Sequence, residues 1–155
     1  MLRLTVIRHG RPHQVSLGIA RSSRGPIIGV RVVQGHKFPF RVTIKVGNIG
    51  GPSAGLMFAL GIVDKLGSAD LTSGRFIAGT GEIAPNGAVG PIGGIQQKMA
   101  GARARGATVF LVPAGNCADA AGAVPAGMRL VKVSTLAGAV HALEALKAAR
   151  RVPSC

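Results

Sequence analysis

A serine and a lysine are the two residues whose surroundings suit bond-breaking chemistry. Ser53 stands in Gly51-Pro52-Ser53-Ala54-Gly55, after an alternating apolar run and before a segment of helical periodicity. A strand-to-helix turn of this kind holds a serine on a sharp bend beside free backbone N–H groups. Those donors and the positive end of the helix can stabilise an oxyanion. Gly50, Gly51 and Gly55 carry no side chain that would block a peptide lying across the turn. A glycine-rich turn with a serine at the helix start is also a common structural device, so this motif decides nothing alone.

A serine nucleophile needs a base. His9 and His13 are four apart, but Pro12 between them breaks a helical ligand pair, and both read as turn residues rather than metal ligands. His36 and His141 stand alone and read as surface or satisfied histidines. A lysine serves as base when its ordinary pKa of about 10.4 is lowered by burial or neighbouring cations. Lys98 follows Pro91-Ile92-Gly93-Gly94-Ile95-Gln96-Gln97, on a segment whose other helical face is apolar. The one acid near either motif is Glu82, and a scarcity of carboxylates favours a neutral amine. Most lysines on such helices face water, so Lys98 acquires meaning only together with Ser53.

The elements that must position these two can be read from hydrophobic period. Leu2, Leu4 and Val6 alternate, as do Val15, Leu17 and Ile19, with His9-Gly10-Arg11-Pro12 between them, which predicts a β-hairpin. Arg21-Ser22-Ser23-Arg24-Gly25-Pro26 reads as a polar linker and places a boundary near residue 24. Ile28, Val30 and Val32 predict a third strand, and Val42, Ile44 and Val46 a fourth, ending in the glycine-rich turn 47–52. A helix follows from Ser53 to Leu66, with Leu56, Leu60 and Val63 on one face and Gly67 closing it. Residues 76–80 predict a buried strand, Pro85-Asn86-Gly87 a turn, and 94–105 a helix striped by Ile95, Met99 and Ala102. Strands at 108–112 and 130–133 come next. A last helix carries Leu136, Val140, Leu143 and Leu146, is capped by Ser134 or Thr135, and has Lys147, Arg150 and Arg151 at its end. Strands alternating with helices make an α/β or α+β domain.

Composition bounds the rest. The chain has 155 residues, enough for one domain with a core of its own. Its aromatic residues are five Phe, so Val, Ile, Leu and Ala must fill that core. Glycine at 24 residues and proline at 9, without a repeat, indicate short elements joined by tight turns. The net charge of +14 raises a nucleic-acid reading. The cations, however, fall in scattered groups at 21–24, 103–105 and 147–151, and there is no Trp or Tyr for base stacking and no zinc-finger or RNA-recognition motif. A solvated basic surface with an acidic partner is the plainer reading. Cys117 and Cys155 read as isolated thiols rather than a bridge, because Cys155 is the last residue. No stretch of 18 apolar residues is present, and the first ten residues do not form a signal peptide.

Taken together, three segments in order closely resemble the catalytic domain of Lon proteases: Gly51-Pro52-Ser53-Ala54-Gly55, Thr80-Gly81-Glu82-Ile83, and the run from Gly87 to Lys98. The resemblance continues through Gly106–Ala114 and Asn116 and covers roughly residues 38–150, with a small loop insertion near 72–74. It implies a Ser–Lys dyad in which Ser53 attacks the scissile carbonyl and Lys98 is the general base. Thr80 would position the lysine, and Gly51, Pro52 and Gly55 would shape the oxyanion and substrate side. It also implies the family fold, distantly similar to the second domain of a small-subunit ribosomal protein. Protein or peptide substrates, a hexameric ring, no cofactor, and neither DNA nor RNA as partner follow from the same likeness.

Against classical members of that family, the sequence lacks a G-x-x-x-x-G-K-[ST] phosphate loop. Gly50 also stands where classical members tend to carry an acid. The closer likeness is to bacterial PDZ–Lon proteins, through Gly-Gly-Pro-Ser-Ala-Gly, Asp64-Lys65-Leu66 and Gly-Gly-Ile-Gln-Gln-Lys-Met. On that reading residues 1–24 are a β-hairpin remnant of a PDZ domain and 25–155 the proteolytic domain. Membrane association would come only through N-terminal segments of an intact relative. The alternative function is a non-catalytic scaffold of the same fold, or a basic module that contacts nucleic acid.

Overall fold

The computed structural model describes residues 1–23, 25–31, 35, 39–45, 51–68 and 70–155. The chain divides into two units, Met1–Arg41 and Val42–Cys155. Sequence expectations at Arg24, Val32, His36, Val46 and the start of the glycine-rich turn at 47–50 lie outside the described residues.

The first unit contains β1 (Leu2–Arg8) and β2 (Arg11–Leu17), paired antiparallel from Leu2 opposite Leu17 to Arg8 opposite Arg11. His9 and Gly10 make the two-residue turn, both at positive φ, 52° and 76°. That is the backbone a tight hairpin between right-twisted strands requires, and glycine supplies half of it without steric cost. The expected hairpin is therefore present. The expected polar linker is not, because Ala20–Ser22 (β3) pairs with Gly25–Ile27 (β4) in a second small ladder. Neither Ile28–Arg31 nor Val42–Lys45 is a strand. Alternation supplies a face, but a strand also needs a partner for its N–H and C=O groups. Val30, Val42 and Ile44 are about half exposed.

The second unit is built on a three-stranded parallel sheet in the order β5–β8–β9, from Ile77–Gly79, Val109–Pro113 and Arg129–Val133. The middle strand is apolar without alternation because both of its faces are covered. Val109, Leu111, Val131 and Val133 point to one side, into a cluster with Leu56, Leu60, Ala139, Leu143 and Leu146. These last come from α1 (Gly55–Leu66) and α4 (Leu136–Lys147). Phe110, Val112 and Leu130 point to the other side and pack with Ile95, Met99 and Ala120. Those belong to α2 (Ile95–Ala104) and α3 (Cys117–Ala121). Each fully buried Leu, Ile or Met contributes about 1.5–3 kcal/mol, so the two clusters are what hold the helices to the sheet. A short antiparallel pair, β6 (Glu82–Ile83) and β7 (Val89–Gly90), connects β5 to α2. Gly87 sits in its turn at φ 81°. The mixed helix and sheet architecture matches the α/β class read from the sequence.

Helix ends follow local chemistry. Thr135 caps α4, its hydroxyl accepting from the Gly138 N–H at 3.0 Å. Gly67 ends α1 with its N–H on the Val63 carbonyl. The expectation for the cysteines is corrected: Cys117 and Cys155 are joined, with Cα atoms 4.9 Å apart. Chain order put them at opposite ends of a segment, but the tail after α4 runs back beside β9, where the Lys132 N–H donates to the Pro153 carbonyl at 3.0 Å. Among the described residues, no helix is long and apolar enough to cross a membrane.

Candidate active site

Ser53 lies in a single 3-10 turn, Pro52–Ala54, that runs directly into α1. Gly51 precedes it at φ 85°, a conformation that favours glycine. Pro52 at the first position has a preset φ and no N–H to leave unpaired. The turn is strapped to the strand beside it. The Ser53 carbonyl accepts from the Thr80 hydroxyl at 2.8 Å and from the Gly81 N–H at 2.8 Å. The Leu56 N–H donates to the Gly81 carbonyl at 3.0 Å, and the Thr80 N–H to Leu111 in the central strand at 3.2 Å. The Ser53 backbone is thus referred to the rigid sheet rather than left to its own loop.

Gly55 has a packing role. A Cβ there would lie 2.9 Å from Ile83 Cγ2, so the missing side chain lets β6 close against the start of α1. Gly79 plays a similar part in β5, where a Cβ would lie 2.7 Å from Met57 Sδ and 2.8 Å from Leu111 Cβ.

Lys98 reaches the same place from α2. Its Nζ donates to Ser53 Oγ at 3.0 Å. Both side chains line one cavity of about 240 Å³, shared with Ala54, Ala78, Gly79, Thr80, Ala102 and Phe110. Its walls are otherwise apolar or small, and Thr80 is 3% exposed with its hydroxyl satisfied. Lys98 itself is exposed and open to an approaching chain. A serine hydroxyl and a lysine amine at hydrogen-bond distance are an arrangement that can serve acyl transfer as nucleophile and base.

The structure therefore brings together Ser53, Lys98 and Thr80, with Gly51, Pro52 and Gly55 in the serine's turn. The Thr80 hydroxyl donates to Ser53's backbone, so Thr80 anchors Ser53 in addition to sharing the lysine's cavity. Among the described residues no cluster of His, Cys, Asp or Glu could hold a metal ion. Sequence reasoning gave no separate part to Asn116, which is 5% exposed and bonded to the turn before α2. The available signal was a polar residue in the short turn just after an apolar strand.

Residues 40–146 match the model of the Lon protease (S16) C-terminal proteolytic domain. Lon protease 2 of Herpetosiphon aurantiacus is 34% identical over 108 residues, 68% of this chain and 13% of that protein. Lon protease 1 of Sorangium cellulosum is 46% identical over 69 residues, 44% of this chain and 8% of that protein. The Lon protease of Orientia tsutsugamushi is 32% identical over 99 residues, 63% of this chain and 12% of that protein. The chain thus spans about an eighth or less of the length of these relatives.

Proposed function

The chain belongs to the family of Lon protease (S16) C-terminal proteolytic domains, and on that premise we propose that it is a serine endopeptidase working through a Ser53–Lys98 dyad. The observation that carries the reading is the 3.0 Å contact between Lys98 Nζ and Ser53 Oγ. Lys98 Nζ, as general base, takes the hydroxyl proton as Ser53 Oγ attacks the scissile carbonyl carbon. Charge develops on the carbonyl oxygen and is met by backbone N–H groups of the 51–55 turn and the start of α1. The Lys98 ammonium then gives its proton to the leaving amine, and the tetrahedral adduct collapses to a Ser53 ester. Water attacks that ester, with Lys98 again taking a proton, and the serine is regenerated. Thr80 supports both partners, holding Ser53 by its carbonyl and lining the cavity that Lys98 enters.

The substrates proposed are unfolded or flexible proteins, because an extended segment must lie across the open dyad to bring its carbonyl within about 3 Å of Ser53. The sequence holds no phosphate loop of the P-loop type, so cleavage by this chain is proposed to proceed without ATP. Assembly into a ring is proposed from family membership.

The test is cleavage of casein by the purified chain without ATP, beside Ser53→Ala and Lys98→Ala. Loss of cleavage in both variants, with the fold kept, supports the dyad. A folded oligomer that cleaves nothing would point instead to a non-catalytic scaffold, and salt-sensitive binding of nucleic acid to the module suggested by the +14 charge.

A further inference from the structure

We infer that Asn116 is a positioning residue for Lys98, holding the turn from which the lysine's helix starts; the inference rests on the dyad reading above. The base must meet Ser53 Oγ from a helix whose first residue, Ile95, follows Gly93 and Gly94. Gly94 is left-handed at φ 69°, and a Cβ on Gly93 would touch nothing within 4 Å. Two adjacent glycines make a soft joint, and no side chain caps α2. The direction of the helix must therefore be set by contacts from outside it.

Asn116 supplies them. Its Oδ1 accepts from the Ile92 N–H at 2.8 Å, and its Nδ2 donates to the Ile92 carbonyl at 2.9 Å. One side-chain amide thus fills both backbone groups of one residue, which fixes the orientation of that peptide as well as its place. Two more contacts come from the same short segment. A Cβ on Gly115 would lie 3.2 Å from Pro91 Cβ, so the two backbones approach closely. Gln96 Nε2 donates to the Asp119 carbonyl at 3.0 Å, tying the first turn of α2 to α3. From there the helix is regular, with the Lys98 N–H on the Gly94 carbonyl at 3.1 Å. Asn116 closes the 3-10 turn Ala114–Asn116 that directly follows β8, and β8 pairs on one side with the strand leading into Thr80. Nucleophile and base are consequently referred to the same central strand by two different routes.

The ordinary role for a buried asparagine is to satisfy a turn and add stability. A positioning role differs in what it predicts per folded molecule, because misplacing a catalytic group by about 1 Å can cost on the order of a hundredfold in rate. The deciding variant is Asn116→Asp. It keeps the shape and the acceptor for Ile92 N–H but turns a second oxygen toward the Ile92 carbonyl, where the amide donated. Gly115→Val presses on Pro91 and disturbs the same turn without touching Asn116.

The measurement is the rate at which a fluorophosphonate probe labels Ser53 in the full chain, corrected for folded fraction and followed across pH. Amide exchange at Ile92 and Lys98 is measured on the same samples. Expected is a fall of roughly tenfold or more in the rate per folded molecule for both variants, a changed pH profile and faster exchange at 92–98. Labelling per folded molecule at the parental rate, with the parental pH profile, in both variants would overturn the assignment and leave Asn116 a stabilising residue. A parent that does not label, or Lys98→Ala labelling as fast as the parent, would instead overturn the dyad on which it rests.

Discussion

The Thr80 hydroxyl donates to the Ser53 carbonyl at 2.8 Å, so the residue that opens the β5–β6 connection grips the backbone of Ser53 across 27 residues of sequence. Thr80 sits at the end of β5, whose neighbour is the central strand, and is 3% exposed. A buried hydroxyl at such a place must find an acceptor, and the serine's carbonyl is the one it finds.

Removing that hydroxyl while keeping the shape isolates its contribution. Thr80→Val leaves the Ser53 carbonyl with the Gly81 N–H as its donor. The expected loss of stability is about 1 kcal/mol, since one net hydrogen bond goes and the carbonyl keeps a donor. Casein cleavage should fall further than that loss explains, by roughly tenfold, because the Ser53 carbonyl loses one of the two donors that hold it. Thr80→Ser should stay near the parent in both. Urea melts and cleavage rates on the three proteins check this, and equal rates in Thr80→Val and parent would remove Thr80 from the machinery.

The bond between Cys117 and Cys155 closes a segment of 38 residues that includes β9 and α4. A covalent loop of that size limits the unfolded chain and stabilises the fold by about 2–4 kcal/mol. Cys117→Ser, Cys155→Ser and the double variant should therefore lose the same amount, since each opens the same loop. Thermal melts with and without reductant test this. A parental midpoint unmoved by dithiothreitol under conditions that free both thiols would contradict it.

Asp70 makes the stability of its loop depend on pH. Its Oδ1 accepts from the Thr72 hydroxyl at 2.8 Å, the Thr72 N–H at 2.8 Å and the Ser73 N–H at 3.1 Å. Those bonds, chiefly the Thr72 hydroxyl's, and the Lys147 charge hold its carboxyl below the ordinary 3.8. A depressed folded value means the contribution is fully present above the ordinary value and fades as pH falls through the folded one. The group is exposed, so the effect is small. Asp70→Asn should be slightly less stable than the parent at neutral pH, and the gap should close below pH of about 4. Paired denaturant titrations at the two pH values measure it; a gap that widens in acid would reverse the assigned sign.

The sequence by itself determined the elements whose signal is local. A 3.6-residue period marked α1, α2 and α4, because one face of each must meet the sheet, and the observed buried residues Leu56, Leu60, Ile95, Met99, Leu143 and Leu146 lie on the expected stripes. The continuous apolar run at 108–112 marked β8 as a strand. Ser53, Lys98 and Thr80 were legible because the chemistry ties residue types to short motifs. The tertiary structure decided what depends on distant partners. Whether Ile28–Val30 and Val42–Ile44 become strands turns on a neighbouring ladder, which alternation cannot supply. The Cys117–Cys155 bond depends on where the tail lies after α4, and the clamp of Asn116 on Ile92 spans 24 residues. Hydrogen bonds and disulfides are set by separations in space, and only packing turns 45 residues of chain between Ser53 and Lys98 into 3.0 Å.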